Sequence, residues 1–535
     1  MAIVSSVLQK NRWAGIIFRL VSSFSILAIL VLIPLVAAIF IAAGAPARRT
    51  ALSASGFNIV AFCIVLWRYL DTEGVGYKLL SSFPLVQRWG INLGFGADGL
   101  ALLMLGLSVV VTFTAVLAAR TPERSPNMFY ACVMLISAGA IWAFVSTDVV
   151  LFYMAHELAL IPTFLLIGIW GSGDRQKAAW KITIYLGVAS FVLLLGLIGL
   201  YFSVPFMLRS IWFGFGMEEL QLFAQGGLLQ LGHGTFLLLF FGFGALVSLF
   251  PFHTWAPSAY AAAPAPAAML HAGVMKKIGL YGIMRLVTPI FPEEVIECWM
   301  PLLLMLVVGN ILYVGLVTVA QKRLDLMLGN SSVMHMGYAF LGILAWNTIG
   351  WQGAGLLMLA HGLTIAALFA LCAALREKVG TLEFSELGGL AKWAPRMGLF
   401  FGLAAFASVG LPGFANFPAE LLVFYGAFVK VKLLFAPDVI PFCTICKDTC
   451  MDWPPIPTSL AYLVVIPAAV WGIVISAVYM LRAYRRIFWG EARPEHKLNN
   501  IDIVGAARWA VVILLAVLLV VGVYPWLALQ FLNFS

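Results

Sequence analysis

The chain has 535 residues, of which 63% are hydrophobic and 10% charged, where an average soluble domain carries roughly a quarter charged residues. Such a composition argues against a water-soluble fold and for an integral membrane protein. The formal net charge of +9 is scattered over short segments between apolar runs, so it reads as a topological bias rather than a nucleic-acid surface.

A helical span needs about 20 apolar residues. Runs of that kind start near Ile26, Ser53, Gly99, Met128, Val149, Trp180, Thr235, Ala261, Pro301, Ser331, Gly353, Met397, Ser459 and Ala506. They predict an all-α polytopic membrane protein of about 14 transmembrane helices. The run VVILLAVLLVVGVYPWLAL is apolar on every face, unlike the alternating strands of an outer-membrane barrel. The apolar run after Lys10 and Arg19 continues through Ile41, longer than the core of a cleavable signal peptide, and is taken as the first span.

With the N-terminus outside, nineteen of the 32 basic residues fall on inner segments, including Lys322, Arg323, Arg376, Arg482, Arg485 and Arg486, and seven on outer ones. The positive-inside bias then puts both termini on the periplasmic side, although Lys10, Arg12 and Arg19 run against it. Cys63, Cys132, Cys298 and Cys372 lie in or beside spans and read as small apolar residues. Cys443, Cys446 and Cys450 cluster in an outer segment, where an oxidising compartment favours a disulfide over free thiols or a metal site.

Two proline breaks punctuate the pattern. PFHTWAP (Pro251–Pro257) ends the seventh span and LPGFANFP (Leu411–Pro418) interrupts the twelfth, five spans later, with Pro412 161 residues after Pro251. A shift by an odd number of spans inverts the second copy across the membrane, as in many ion-coupled carriers; two packing kinks are the alternative. The division that follows is 1–127 for the first three helices, 128–290 and 291–490 for two inverted five-helix repeats, and 491–535 for the last helix.

An ionisable group at a helix centre costs about 2.5–3.5 kcal/mol on insertion scales, so each asks for a partner or a task. Glu157 lies nine residues into the fifth span, Lys276 and Lys277 midway along the eighth with His271 before them, His335 opens the tenth, His361 is central to the eleventh, and Glu420 follows the second break. Glutamates, lysines and histidines on successive helices are what a proton relay needs. A single buried histidine is more often an interhelical hydrogen bond. Lys276 and Lys277 point about 100° apart, so at most one faces a given partner.

The motifs carry a resemblance. GADGL (Gly96–Leu100), HELALIP (His156–Pro162), AAWK (Ala178–Lys181), FPFHTWAP (Phe250–Pro257), AGVMKKIGLYG (Ala272–Gly282), SSVMHMGY (Ser331–Tyr338) and LPGFANFPAE (Leu411–Glu420) follow one another in the chain. In that order they resemble the antiporter-like, proton-translocating membrane subunits of respiratory NADH:quinone oxidoreductase (complex I), in the subunit M or chain 4 group, over residues 89–428. The resemblance implies that Glu157 is the fifth-span glutamate, Lys277 the central lysine, His335 and His361 the connecting histidines, and Glu420 the group of the exit half-channel. It further implies a translocase subunit of a bacterial inner membrane, with no redox centre, cofactor or metal of its own. NADH, flavin, iron–sulfur clusters and quinone would belong to partner subunits of the oxidoreductase; nucleic acid would not be a partner.

Two departures accompany it. The family usually has a lysine seven residues before the histidine of FPFHTWAP; here that position is Leu246, and Lys276 or His271 are the candidate substitutes. Ser258 and Tyr260 stand where subunit M usually has Asp and His. Alternatives are therefore a divergent or non-pumping scaffold paralogue, a subunit of a cation/proton antiporter or membrane-bound hydrogenase complex, and a stand-alone secondary transporter.

Overall fold

The computed structural model describes residues 25–74, 76–86, 90–206, 214–434, 458–491 and 501–532. Cys443, Cys446 and Cys450, and the opposing Lys10, Arg12 and Arg19, lie outside them. The helices are α1 (Ile26–Ala42), α2 (Ala47–Asp71), α3 (Gly99–Ala118), α4 (Pro126–Val145), α5 (Val149–Trp170), α6 (Arg175–Phe202), α7 (Met217–Gln225), α8 (His233–Val247), α9 (Trp255–Ala262), α10 (Ala265–Leu270), α11 (Lys276–Gly282), α12 (Glu293–Val308) and α13 (Val314–Ala320). They continue with α14 (Leu324–Leu344), α15 (Thr348–Val379), α16 (Pro395–Val409), α17 (Asn416–Leu434), α18 (Thr458–Phe488), α19 (Gly505–Val523) and α20 (Trp526–Leu529). Among the described residues nine helices are long and apolar enough to cross a membrane, and α1, α8 and α16 are shorter apolar helices. The chain is a multi-pass membrane protein.

Short polar side chains start several of these helices by accepting otherwise orphaned N–H groups. Asp98 caps α3 through Ala101 (2.9 Å), Asp148 caps α5 through Val150 and Leu151 (2.9 and 3.2 Å), and Asn347 caps α15 through Gly350 (2.9 Å). Helix α15 is the central post: 94% of its most apolar stretch is buried, against 33% in α18 and α19. Helix α11 is buried throughout, and α10 and α14 are buried apart from Ala265 and Leu326.

The all-α expectation needs one correction. Before α3 the chain forms an antiparallel hairpin, β1 (Lys78–Val86) with β2 (Ile91–Ala97), in the register Phe83 to Leu93 and Val86 to Ile91. Its glycines permit close approach: a Cβ on Gly94 would fall 2.2 Å from the Thr147 hydroxyl. Three further expectations change. Cys298 is disulfide-bonded rather than a free apolar filler. His335 sits in mid-helix, because α14 begins at Leu324. Glu157 is not deeply buried: its side chain is 35% exposed.

Both proline motifs interrupt helices. Helix α8 stops at Val247 with Ser248 left-handed (φ 75°), and α16 stops at Val409 with Gly410 left-handed (φ 78°). In lipid the freed backbone groups must be satisfied by neighbouring protein. At the first break Asn310 accepts from the Phe250 N–H (2.5 Å) and donates to the carbonyls of Ser248 and Val333 (3.4 and 3.1 Å). Trp255 Nε1 donates to the Ala245 carbonyl (3.2 Å). At the second, the Ala415 N–H reaches the Leu518 carbonyl (3.2 Å).

Candidate functional site

Between α10 and α11 the helix widens into a π-turn, His271–Met275, immediately before the two lysines. Such turns insert a residue and redirect the following side chains. Lys277 is fully buried; its ammonium donates to the Ala272 carbonyl (2.6 Å) and lies 3.1 Å from His361 Nδ1. Glycine makes this approach feasible. A Cβ on Gly362 would stand 2.7 Å from the Gly273 carbonyl oxygen, so the π-turn and α15 cross backbone to backbone, a small-residue crossing of the kind membrane helices use.

From His361 the row continues. Its ring centroid is 5.6 Å from that of His335, whose Nδ1 is 3.7 Å from Glu420 Oε1. His335 Nε2 is 3.3 Å from the Tyr479 hydroxyl, itself 2.8 Å from Ser331 Oγ. Lys277, His361, His335 and Glu420 are all buried, and α11, α15, α14 and α17 each contribute one. Several buried polar atoms here, His361 Nε2, His335 Nδ1, Glu420 Oε1, Tyr338 Oη and Asn416 Nδ2, have no hydrogen-bond partner among the described residues. Buried polar groups are nearly always partnered, so their concentration here sets this row apart from the rest of the interior.

The other candidates occupy a second neighbourhood. Glu157 accepts a close hydrogen bond from Ser190, whose hydroxyl is 3.1 Å from that of Tyr153, and His156 Nδ1 is 3.4 Å from the same carboxylate. Leu246 is buried in α8. Lys276 turns away from Lys277 as the helical angle requires, its ammonium 3.3 Å from Ser332 Oγ and 5.5 Å from the Tyr260 ring centroid. His271 lies edge-on to Trp255 at 6.2 Å, with Tyr260 also at 6.2 Å.

Sequence reasoning missed the partners of these residues. Tyr479, Tyr338, Ser331 and Asn416 are uncharged and carried no cost signal. Asn310 is a lone amide whose role depends on a break 60 residues earlier. The pair Arg285–Asp98, with Arg285 also 4.8 Å from the Tyr281 ring, could have been sought because each is a charge at a span end needing a partner. So could Asp325, fully buried between Arg323 and Arg376 (2.8 and 2.6 Å), and Lys430, held by Glu293 and Glu297 (3.0 and 2.8 Å).

Together these features define a polytopic membrane protein with two interrupted helices and an interior row of ionisable side chains. Residues 146–438 match the family described as NADH:quinone oxidoreductase/Mrp antiporter, TM. The chain is 33% identical over 514 residues to NAD(P)H-quinone oxidoreductase chain 4 2 of Thermosynechococcus vestitus, covering 95% of this chain and 90% of that one. It is 34% identical over 465 residues to NAD(P)H-quinone oxidoreductase chain 4 1 of Synechococcus elongatus, covering 87% and 81%. It superposes on a chain of respiratory complex I from Thermus thermophilus with bound NADH, with a TM-score of 0.79 at 26% identity over 95% of this chain and 97% of that one. A chain of the Mrp complex from Dietzia sp. shares the fold, with a TM-score of 0.76 at 20% identity over 95% and 96%. The chain belongs to the NADH:quinone oxidoreductase/Mrp antiporter transmembrane family.

Proposed function

We propose that this chain is a membrane-arm subunit of an NADH:quinone oxidoreductase in a bacterial inner membrane, conducting protons under the drive of quinone reduction in other subunits. The observation that carries the reading is the continuous buried row Lys277–His361–His335–Glu420. Within it the lysine ammonium donates toward His361 Nδ1; when its proton passes to that nitrogen, the imidazolium can release the proton it carries on Nε2 toward His335, leaving His361 neutral and Lys277 as the free amine, and His335 in turn faces a carboxylate. In low dielectric a second charge close by is strongly disfavoured, so one added proton at a time moves along the row, and a charge arriving beside it shifts where the proton rests.

Glu157, joined to Ser190 and Tyr153, is the proposed loading group of the first half. Lys276 and His271 are proposed to supply the basic function that Leu246 lacks. The proposal includes about 14 spans, counting α10–α11, α14 and α17 beside the helices that length and hydropathy pick out, two inverted repeats over 128–290 and 291–490, and both termini on the periplasmic side. Redox cofactors belong to the partner subunits. The homology to named oxidoreductase subunits and the matched turns after α8 and α16 support this reading.

The test is redox-driven proton translocation by the assembled complex in proteoliposomes. With Lys277→Ala, proton transfer and the coupled electron transfer are expected to fall at least tenfold in a complex that still assembles. Unchanged translocation would favour the second reading, a non-pumping scaffold paralogue, which Leu246 keeps in view.

A further inference from the structure

Helix α18 presents an unusual surface at its end. Its exposed residues Trp471, Val474, Val478 and Leu481 are followed on the same stripe by Arg485 and, just past the helix, Trp489. The steps are three and four residues, the spacing that keeps side chains on one helix face. The apolar part is strongly exposed, 63% at Trp471 and 50% at Val478. Where the stripe turns polar, Arg482, Arg485, Arg486, Trp489 and Gly490 line a cavity of about 460 Å³.

The charge in this cavity is unbalanced. Among the described residues no carboxylate pairs with Arg482, Arg485 or Arg486. Arg482 spends one donor on the Gln321 carbonyl (3.3 Å), while its buried Nε has no hydrogen-bond partner among the described residues. Three guanidiniums spaced i, i+3 and i+4 repel one another unless an anion lies between them. The Gly389 N–H donates to the Trp489 carbonyl (3.1 Å), and Gly490, just past the helix, is in the left-handed region (φ 93°).

We propose that this cavity binds the phosphate of an anionic phospholipid on the side where the chain's basic residues gather, with an acyl chain lying along Trp471–Leu481 and Trp489 at the headgroup level. A guanidinium cluster suits any phosphate. The apolar stripe leading straight into it, with a tryptophan at the boundary, selects a lipid over a free anion, since basic pockets beside membrane helices recognise anionic headgroups and Trp marks the interface.

The test uses the assembled complex reconstituted in phosphatidylcholine vesicles doped with phosphatidylglycerol or phosphatidylcholine bearing a photoactivatable acyl chain, with labelled peptides mapped by mass spectrometry. The phosphatidylglycerol probe is expected to label residues 471–481 at least tenfold more than the phosphatidylcholine probe. Labelling should fall at least tenfold in R482Q/R485Q/R486Q, fall less in the exposed single variant R485Q, and persist in 10 mM inorganic phosphate. Equal labelling by the two probes on the wild-type complex, a comparison that needs no variant to fold, would overturn the proposal. So would displacement of the label by inorganic phosphate, which would make the cavity a free-anion site.

Discussion

After Val247 and after Val409 the backbone makes the same turn. The left-handed residue donates three residues back, Ser248 to Ala245 and Gly410 to Ala407 (both 3.1 Å), and the leucine after it donates five back, Leu249 to Gly244 (2.8 Å) and Leu411 to Phe406 (3.1 Å). This double closure satisfies the last carbonyls of each helix. What surrounds the two turns differs. The first is locked by a neutral amide, Asn310, with Leu246 one half-turn before it; the second stands against a carboxylate, since a Cβ on Gly410 would come 2.6 Å from Glu420 Oε2. One backbone solution thus serves as a clamp in one half and as the wall of an ionisable site in the other. Substitutions around the first break should act on stability, and those around the second on proton movement.

The largest expected loss is of stability, at the Arg285–Asp98 pair. Arg285→Met leaves Asp98, whose side chain is 19% exposed, without its cation; breaking a fully buried pair costs roughly 3–5 kcal/mol and this partly solvated one less, so the thermal midpoint of the purified complex should fall, and adding Asp98→Asn should recover part of it. Asn310→Leu strips partners from the Phe250 N–H and the Ser248 carbonyl, a loss of about 1–3 kcal/mol read in the same assay. If it abolished pumping while leaving the midpoint unchanged, the division between clamp and site would fail.

Gly410→Ala sharpens the comparison. A left-handed non-glycine residue costs about 1–2 kcal/mol, and here the new methyl also presses on Glu420, so both the midpoint and pumping should drop. Ser248→Gly, which relieves the same φ where no carboxylate is present, should leave both unchanged or raise the midpoint.

The smallest effect is a pH slope. Asp148, outside the spans, is pushed up from 3.8 to about 6 by burial, against the backbone N–H groups of Asn92, Leu151 and Val150, which favour its charge. The folded state therefore holds a proton that the unfolded chain releases near pH 4. The resulting stability is present below that value and is lost as pH rises through about 6. Asp148→Asn should flatten this part of the midpoint–pH profile.

Much of this was legible in the sequence because burying charge in a membrane is costly. Lys277, His335, His361 and Glu420 stood out as expensive residues, and the structure brings them into contact. The orientation of Glu157 was not legible: α5 is apolar all round, so periodicity names no inward face, and a position nine residues deep does not fix which way it points. The hairpin was hidden because its strand carries Pro84 and its partner two glycines, both depleted in strands. The π-turn before Lys276 and the Asn310 clamp depend on tertiary packing, which no local pattern encodes; Arg285 and Asp98 were each visible as a charge at a span end, but their pairing across 187 residues was not.

The central claim is that the second half, through Glu420, carries protons. Its most direct test is the number of protons translocated per electron pair by the assembled complex carrying Glu420→Gln, with subunit content and thermal midpoint checked alongside. The account predicts a complex of wild-type composition and near wild-type midpoint whose proton translocation falls at least tenfold. Full proton translocation by that variant would contradict it.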